Sequence, residues 1–302
     1  MKSLVLALLV SPLWPATLEV EIRNSEVWLI RDGKDKQLTR DGKAKLQAVL
    51  SPGKDRVAYY EQCPQSENCI PSIVILDLSG KRLQSVRPIV DQSPCTSILA
   101  IEWAAPGSIS AECHINPSVN QYLEVDLASG RNIRDLLGYD FTRSPDGRKV
   151  AHAGWIVHFA PRYLQSDYLQ VDDLTLYPLP KGQRPHQQKG LSEPPQVVQK
   201  RGLTYSGIHE FQPGFFWSPD SRHIALIDCT VDWTLKSASQ DSDGDESNRR
   251  CQLAIVALDG QVSLYTLTGL APNNLQQPRV AWTGAHAVTI EIAGARSTFN
   301  IP

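Results

Sequence analysis

Asp241, Asp243, Asp245 and Glu246 place four carboxylates within six residues, mostly at alternate positions and with Gly244 among them. Such runs can wrap a hard cation such as Ca²⁺, which binds through oxygen. An EF-hand loop wants glycine sixth and a bidentate glutamate twelfth. Counted from Asp241, the glycine is fourth and Gln252 stands twelfth. That departure favours a solvated acidic loop tip held by a disulfide, with calcium as the alternative and no other cofactor implied.

The seven histidines, His114, His152, His158, His186, His209, His223 and His286, include no His-Glu-x-x-His and no close pair at ligand spacing. His152 and His158 can face the centre of a ring fold; the plainer reading is a satisfied structural or surface histidine. Glycoside hydrolysis needs two carboxylates across a pocket. Glu102, Asp140, Glu210 and Asp228 are conceivable, but nothing singles out a pair. No Gly-x-Ser-x-Gly nucleophile elbow is present, so no catalytic residue is assigned. Trp103, Trp155, Trp217, Trp233 and Trp282 would suit a sugar platform. Trp103, Trp217 and Trp282, however, share one position directly before a turn, which argues for packing.

Six cysteines read as disulfides between sequence neighbours: Cys63 with Cys69, Cys95 with Cys113, and Cys229 with Cys251. Zinc is the weaker reading, because no Cys-x2-Cys occurs. Lys2 followed by the apolar stretch Leu4 to Trp14 has the length of a signal-peptide core rather than a membrane span. The expectation is a signal peptide over 1–16 and a periplasmic or secreted protein; a buried first strand or an uncleaved anchor is the alternative. Ala16 suits the cut, although Trp14 does not. No later stretch is long and apolar enough to span a bilayer. The apolar fraction of 41% can build a core, and a formal charge of −2 with scattered basic residues excludes nucleic acid as a partner class.

What must position these groups is a repeat. Leu50-Ser51-Pro52-Gly53, Arg143-Ser144-Pro145-Asp146 and Trp217-Ser218-Pro219-Asp220 each lead to a basic residue and then Val-Ala or Ile-Ala. Proline fixes the first turn angle and Asp or Gly accepts the tight backbone. Weaker copies run from Ile101 to Cys113 and from Val280 to Ile292. Alternating strands ending in Asp follow, as in Ser72–Gly80, Tyr122–Gly130 and Leu253–Gly260; the third copy, around Tyr168–Asp172, is looser.

With Ser144-Pro145-Asp146-Gly147-Arg148-Lys149-Val150-Ala151 and Ser218-Pro219-Asp220-Ser221-Arg222-His223-Ile224-Ala225, the chain resembles the TolB-like, or PD40, propeller repeats. The resemblance implies an all-β propeller. It does not imply one activity, since the repeat occurs in periplasmic binding proteins, peptidase propellers and some lyases.

Counting copies predicts five blades in a single domain over 17–302. Four lie at about 46–95, 96–138, 139–213 and 214–270, and the strands at 279–300 are completed by the N-terminal hairpin Val27 to Thr39, closing the ring. Polar insertions at 178–200 and 234–250 read as long loops. The leading expectation is a non-enzymatic module presenting loops to another protein, either an envelope protein or a secreted toxin. The rival is a periplasmic carbohydrate-active hydrolase or lyase working in the central funnel.

Overall fold

A strand sandwiched between two neighbouring sheets has no solvent face, so it reads as a continuous apolar run; one at the rim alternates. Both patterns recur in the computed structural model, which describes residues 17–61, 70–90, 92–116, 119–154, 166–176, 186–192, 199–212, 214–238, 243–267, 278–292 and 294–301. Middle strands such as Val119–Asp126 are buried at nearly every position, whereas the rim strand Arg82–Val86 is mostly exposed. The architecture is the expected five-blade β-propeller. Contacts divide the chain into two compact units, one ending at Arg87 and one starting at Pro88.

In the first unit, β1 (Leu18–Arg23), β2 (Glu26–Arg31) and β3 (Lys34–Gln37) form a three-stranded sheet, and β4 (Lys45–Leu50), β5 (Arg56–Glu61), β6 (Ile73–Asp77) and β7 (Arg82–Val86) form a four-stranded one. Asn24 and Ser25, with φ of 50° and 65°, turn β1 into β2. Val27, Leu29, Leu38, Val57, Tyr59, Val74 and Leu76 form the core. This changes one expectation. The hairpin Val27 to Thr39 pairs with Leu18–Arg23, a strand the sequence reading had not counted, and makes a sheet of its own.

The second unit opens with a short ribbon, β8 (Ile89–Val90) and β9 (Ser93–Pro94). The next blade is β10 (Ile98–Ala105), β11 (Ser108–Asn116), β12 (Val119–Asp126) and the first part of β13 (Asn132–Arg143). β13 then crosses into the following blade. Its residues up to Gly138 pair with β12, and Tyr139 to Arg143 pair with β14 (Lys149–Ala153), which is followed by β15 (Leu169–Asp173) and β16 (His186–Gln188). The fourth blade contains β17 (Gln199–Arg201), β18 (Thr204–Phe211), β19 (Phe216–Trp217), β20 (His223–Leu235), β21 (Gly244–Ala257) and β22 (Val262–Thr266). The last sheet is β23 (Arg279–Trp282), β24 (Ala287–Ile292) and β25 (Ala295–Asn300), hydrogen-bonded among themselves.

Two boundaries move. Gln199 to Phe211 belong to the fourth blade, because β18 pairs with β20 from Thr204↔Thr234 to Phe211↔Asp228. The span 234–250 is largely the far end of the β20–β21 hairpin, paired out to Leu235↔Gly244. Its polar composition reads as loop, yet the cross-strand cluster of Tyr205, Ile208, Val231 and Leu235 fixes it as sheet. The span 178–200 likewise contains β16 and the start of β17.

The repeat turns explain themselves physically. Ser51, Ser144 and Ser218 are buried, and each hydroxyl accepts the backbone N–H five residues on, from Arg56, Lys149 and His223, at 2.9 Å. Each also donates to a turn carboxylate: Asp55 at 2.8 Å, Asp146 at 2.7 Å and Asp220 at 2.6 Å. The fourth turn residue is left-handed in all three, at Lys54, Gly147 and Ser221.

Candidate functional site

The repeat position before each turn decides how the blades of the second unit meet. Trp217 Nε1 donates to Thr142 O at 2.9 Å, and Trp282 Nε1 donates to Phe216 O at 2.8 Å. Each indole thus bonds the residue just before the equivalent position of the preceding blade, in line with the packing role read from sequence. Trp103 is buried as well. Trp233 lies in the β20 extension, and Trp155 falls outside the described residues.

In the third blade that position is Arg143, and the junction becomes charged. Arg143 Nη2 donates to Tyr122 Oη and to Glu124 Oε2, both at 2.8 Å. Glu124, only 2% exposed, also accepts from Ser108 Oγ at 2.6 Å and from Arg134 Nη1. Burial pushes the Glu124 carboxyl up, but the Ser108 hydroxyl and the two guanidiniums outweigh it and hold it below its ordinary value. His152 does not face a channel. It is fully buried, bonded through Nε2 to Asp172 at 2.8 Å and stacked on Phe141. His158 falls outside the described residues.

Further carboxylates lie between the third and fourth blades. Asp140, Glu210 and Asp228, each named from sequence, all act on Asp167, which was not. Asp167 lies on the short segment before β15, outside any repeat, so its only signal was proximity to a third-strand pattern. Burial and then the neighbouring charges push its pKa up to about 6, against one lowering contact from the Phe211 N–H at 2.7 Å. Burial also raises Asp140, Glu102 and Glu112; Arg143 partly offsets the effect on Glu102. Asp228, fully buried, accepts from His209 Nδ1 at 2.9 Å and from Gln252 Nε2 at 3.2 Å. Glu210 is paired with Arg249 at 2.6 Å. Chemically, this group can attract a cation and exchange a proton near neutral pH.

Cys229 and Cys251 sit directly opposite on β20 and β21 and are bonded, with Cα atoms 4.0 Å apart; beyond them the hairpin continues as the extension. Cys95 and Cys113 are bonded too, at a Cα separation of 6.1 Å. Cys63 and Cys69 fall outside the described residues. Of the calcium candidates, Asp241 is outside them as well. Asp243 accepts the Lys236 N–H through its carbonyl, Asp245 lies 3.9 Å from Lys236 Nζ, and Glu246 spends its carboxylate on Arg249 at 2.5 and 2.7 Å. No group of three or more metal-type side chains is placed to hold an ion among the described residues. None of their helices is long and apolar enough to cross a membrane.

No protein-family model and no curated protein matches the chain. Similar solved structures are propellers. TolB from Acinetobacter baumannii is 17% identical, with 94% of this chain covered and a TM-score of 0.43; the chain spans 62% of that protein's length. A putative TolB from Agrobacterium tumefaciens is 11% identical over 82% of this chain and 76% of its own, with a TM-score of 0.41. The β-propeller domain of the Trilobed protease from Pyrococcus furiosus is 11% identical over 94% of this chain and 77% of its own, with a TM-score of 0.45.

Proposed function

We propose that this chain is an exported, non-enzymatic propeller scaffold that holds another protein, either an envelope protein or a secreted toxin. The β20–β21 extension carries this reading. β21 is 14 residues long, yet only Gln252 to Val256 pair with β22, so its first half contributes nothing to the outer blade edge. That half is mostly exposed and charged, stands on the apolar cluster around Tyr205 and Leu235, and has the Cys229–Cys251 bond at its base. A stiffened polar projection of this kind is what a docking element needs. The disulfides support an oxidising compartment, periplasmic or extracellular. The test is affinity capture from envelope extract with the mature protein and with a variant whose hairpin is cut back to the disulfide. One stoichiometric partner, lost from the variant, is the expected result; the same partner retained by the variant refutes the docking surface.

A second reading rests on the carboxylates around Asp167. A group with a pKa near neutrality beside other carboxylates suits general acid catalysis, and a carbohydrate-active hydrolase or lyase would use it. Release of reducing or unsaturated sugar from envelope glycans, lost in Asp167→Asn, would favour this reading; no release from any glycan would remove it.

A further inference from the structure

The outer edge of β21 is occupied along only part of its length. Gln252 to Val256 pair with β22, and the Leu267 N–H reaches the Cys251 carbonyl. From Gly244 to Arg250 no strand of the described residues lies on the side away from β20. The outward backbone N–H and C=O groups there have no backbone partner among the described residues. An edge of this kind is a template for one more strand.

Charges and bulges ordinarily protect such an edge, and both occur here. Thr230 opposes Arg250 and Asp232 opposes Ser247, so Asn248 and Arg249 together face Val231, and Asn248 has a φ of 56°. The order of the charges, however, is not that of a uniform repellent. Asp245-Glu246-Ser247-Asn248-Arg249-Arg250 reads acid, acid, polar, polar, base, base. Run antiparallel to itself, this segment sets Asp245 opposite Arg250, Glu246 opposite Arg249 and Ser247 opposite Asn248. Every charged pair is then of opposite sign.

The side-chain faces agree with that register. Side chains alternate along a strand, so an unbulged strand paired two-fold with its own copy matches faces only between residues that are both odd-numbered or both even-numbered. Asp245 with Arg250 and Glu246 with Arg249 break that rule, and the extra residue of the bulge makes up the difference. Asp245, Ser247 and Arg250 oppose Thr234, Asp232 and Thr230, alternate residues of β20, and so share one face. Glu246 and Arg249 share the other, where they are bonded to each other and Arg249 also to Glu210.

We propose that a second copy of this chain pairs antiparallel with the Gly244–Arg250 edge of β21, giving a symmetric dimer in which Asp245 faces Arg250 and Glu246 faces Arg249. A two-fold contact uses one patch twice, so each pairing occurs twice and the two Glu246–Arg249 pairs join into a ring of alternating charge. Strands this short make an interface at the low end of the specific range, so the dimer is weak and concentration-dependent. The inference rests on reading the β20–β21 extension as a docking element, and names a second copy as the strand that docks on its edge.

Sedimentation equilibrium of the purified mature protein, from micromolar to near-millimolar concentration, tests it. The average mass should rise toward twice that of one chain, and high salt should lower it. Asp245→Lys and Arg250→Glu each reverse an exposed charge. Either alone should weaken association roughly tenfold, because both copies of one cross-strand pair become like-charged. An equimolar mixture of the two variants should recover association, since each reversed charge then meets its opposite; recovery also shows that both variants fold. A monomer at every concentration, a dimer that neither reversal weakens, or a mixture no tighter than its components would overturn the proposal. No other protein enters this measurement, so its failure is distinct from a failure of the hairpin to capture a foreign partner.

Discussion

Glu124→Gln separates charge from shape at the junction between the second and third blades. The carboxylate is 2% exposed and accepts from Arg143, whose side chain is 8% exposed, from Arg134, at 22%, and from Ser108. Glutamine fills the same space and keeps one acceptor oxygen, but leaves the Arg143 guanidinium buried without a counter-charge. Removing one partner of a buried pair costs about 3–5 kcal/mol; Arg134, better hydrated, adds little to this. The retained oxygen offsets part, leaving about 3 kcal/mol at pH 7. A chain of this length unfolds with an entropy of roughly 0.6 kcal/mol/K, so Tm should fall by about 5 °C. Urea unfolding followed by tryptophan fluorescence measures the loss, which counts only if the m-value is unchanged. The Glu124 carboxyl is held below its ordinary 4.5, so its contribution is complete above that value and lost as pH falls further. The gap between variant and wild type should therefore narrow below pH 4.5. A cost under 1 kcal/mol at pH 7, or a gap that stays constant down to pH 3, would refute the account.

Three further outcomes follow from the geometry. Gly138→Ala would put a methyl 2.2 Å from His152 Nδ1 and 2.5 Å from Ala153 O, where β13 crosses between blades; about 3 kcal/mol should be lost by chemical denaturation, or soluble yield should collapse. Trp217→Phe removes the bond to Thr142 O and should cost about 1 kcal/mol by the same measurement, since a half-buried carbonyl loses its indole donor. Lys54→Gly should raise stability by about 0.5–1 kcal/mol in thermal melts. The φ of 53° at Lys54 strains a side chain, and the matching turn residue Gly147 has none.

How far the fold could be read in advance depended on how local its causes are. The Ser-Pro-Asp turns were legible because their hydrogen bonds span five residues and their left-handed residue sits at a fixed offset. Trp217 and Trp282 were legible as packing groups because the offset is shared. Arg143 stands in the same register, but its partners Tyr122 and Glu124 lie on the preceding blade, and nothing local to the turn announces them. β1 went uncounted because its partner β2 already had a plausible use. The far end of β20–β21 looked like loop because Ser, Asp and Gly dominate it, while its pairing is decided by Tyr205, Val231 and Leu235. Of the carboxylates named from sequence, Asp140, Glu210 and Asp228 all bear electrostatically on one group. That group is Asp167, which belongs to no repeat and so carried no pattern.

The two kinds of blade junction bear on what the carboxylates are for. Where the repeat position holds Trp217 or Trp282, neighbouring blades bury apolar residues such as Leu226, Val256, Ile290 and Val288 and spend one indole bond. This chain therefore already contains an apolar solution to joining blades. The second and third blades also bury an apolar cluster, Tyr122, Leu136, Val150 and Leu174, and add to it a buried ion network, which often does no better than apolar packing of similar volume. In the same unit, Glu102, Glu112, Asp140 and Asp167 all have raised pKa values. A carboxylate in that condition lowers stability at neutral pH, where it is ionised against its surroundings. Such carboxylates add no stability at neutral pH, and perturbed ionisable groups occur both at functional sites and in structural ion networks. Neutralising Asp167 should therefore make the protein more stable at pH 7 and, on the glycan-active reading, abolish sugar release. A variant that gained stability with partner capture and any glycan activity both intact would confine this cluster to the framework.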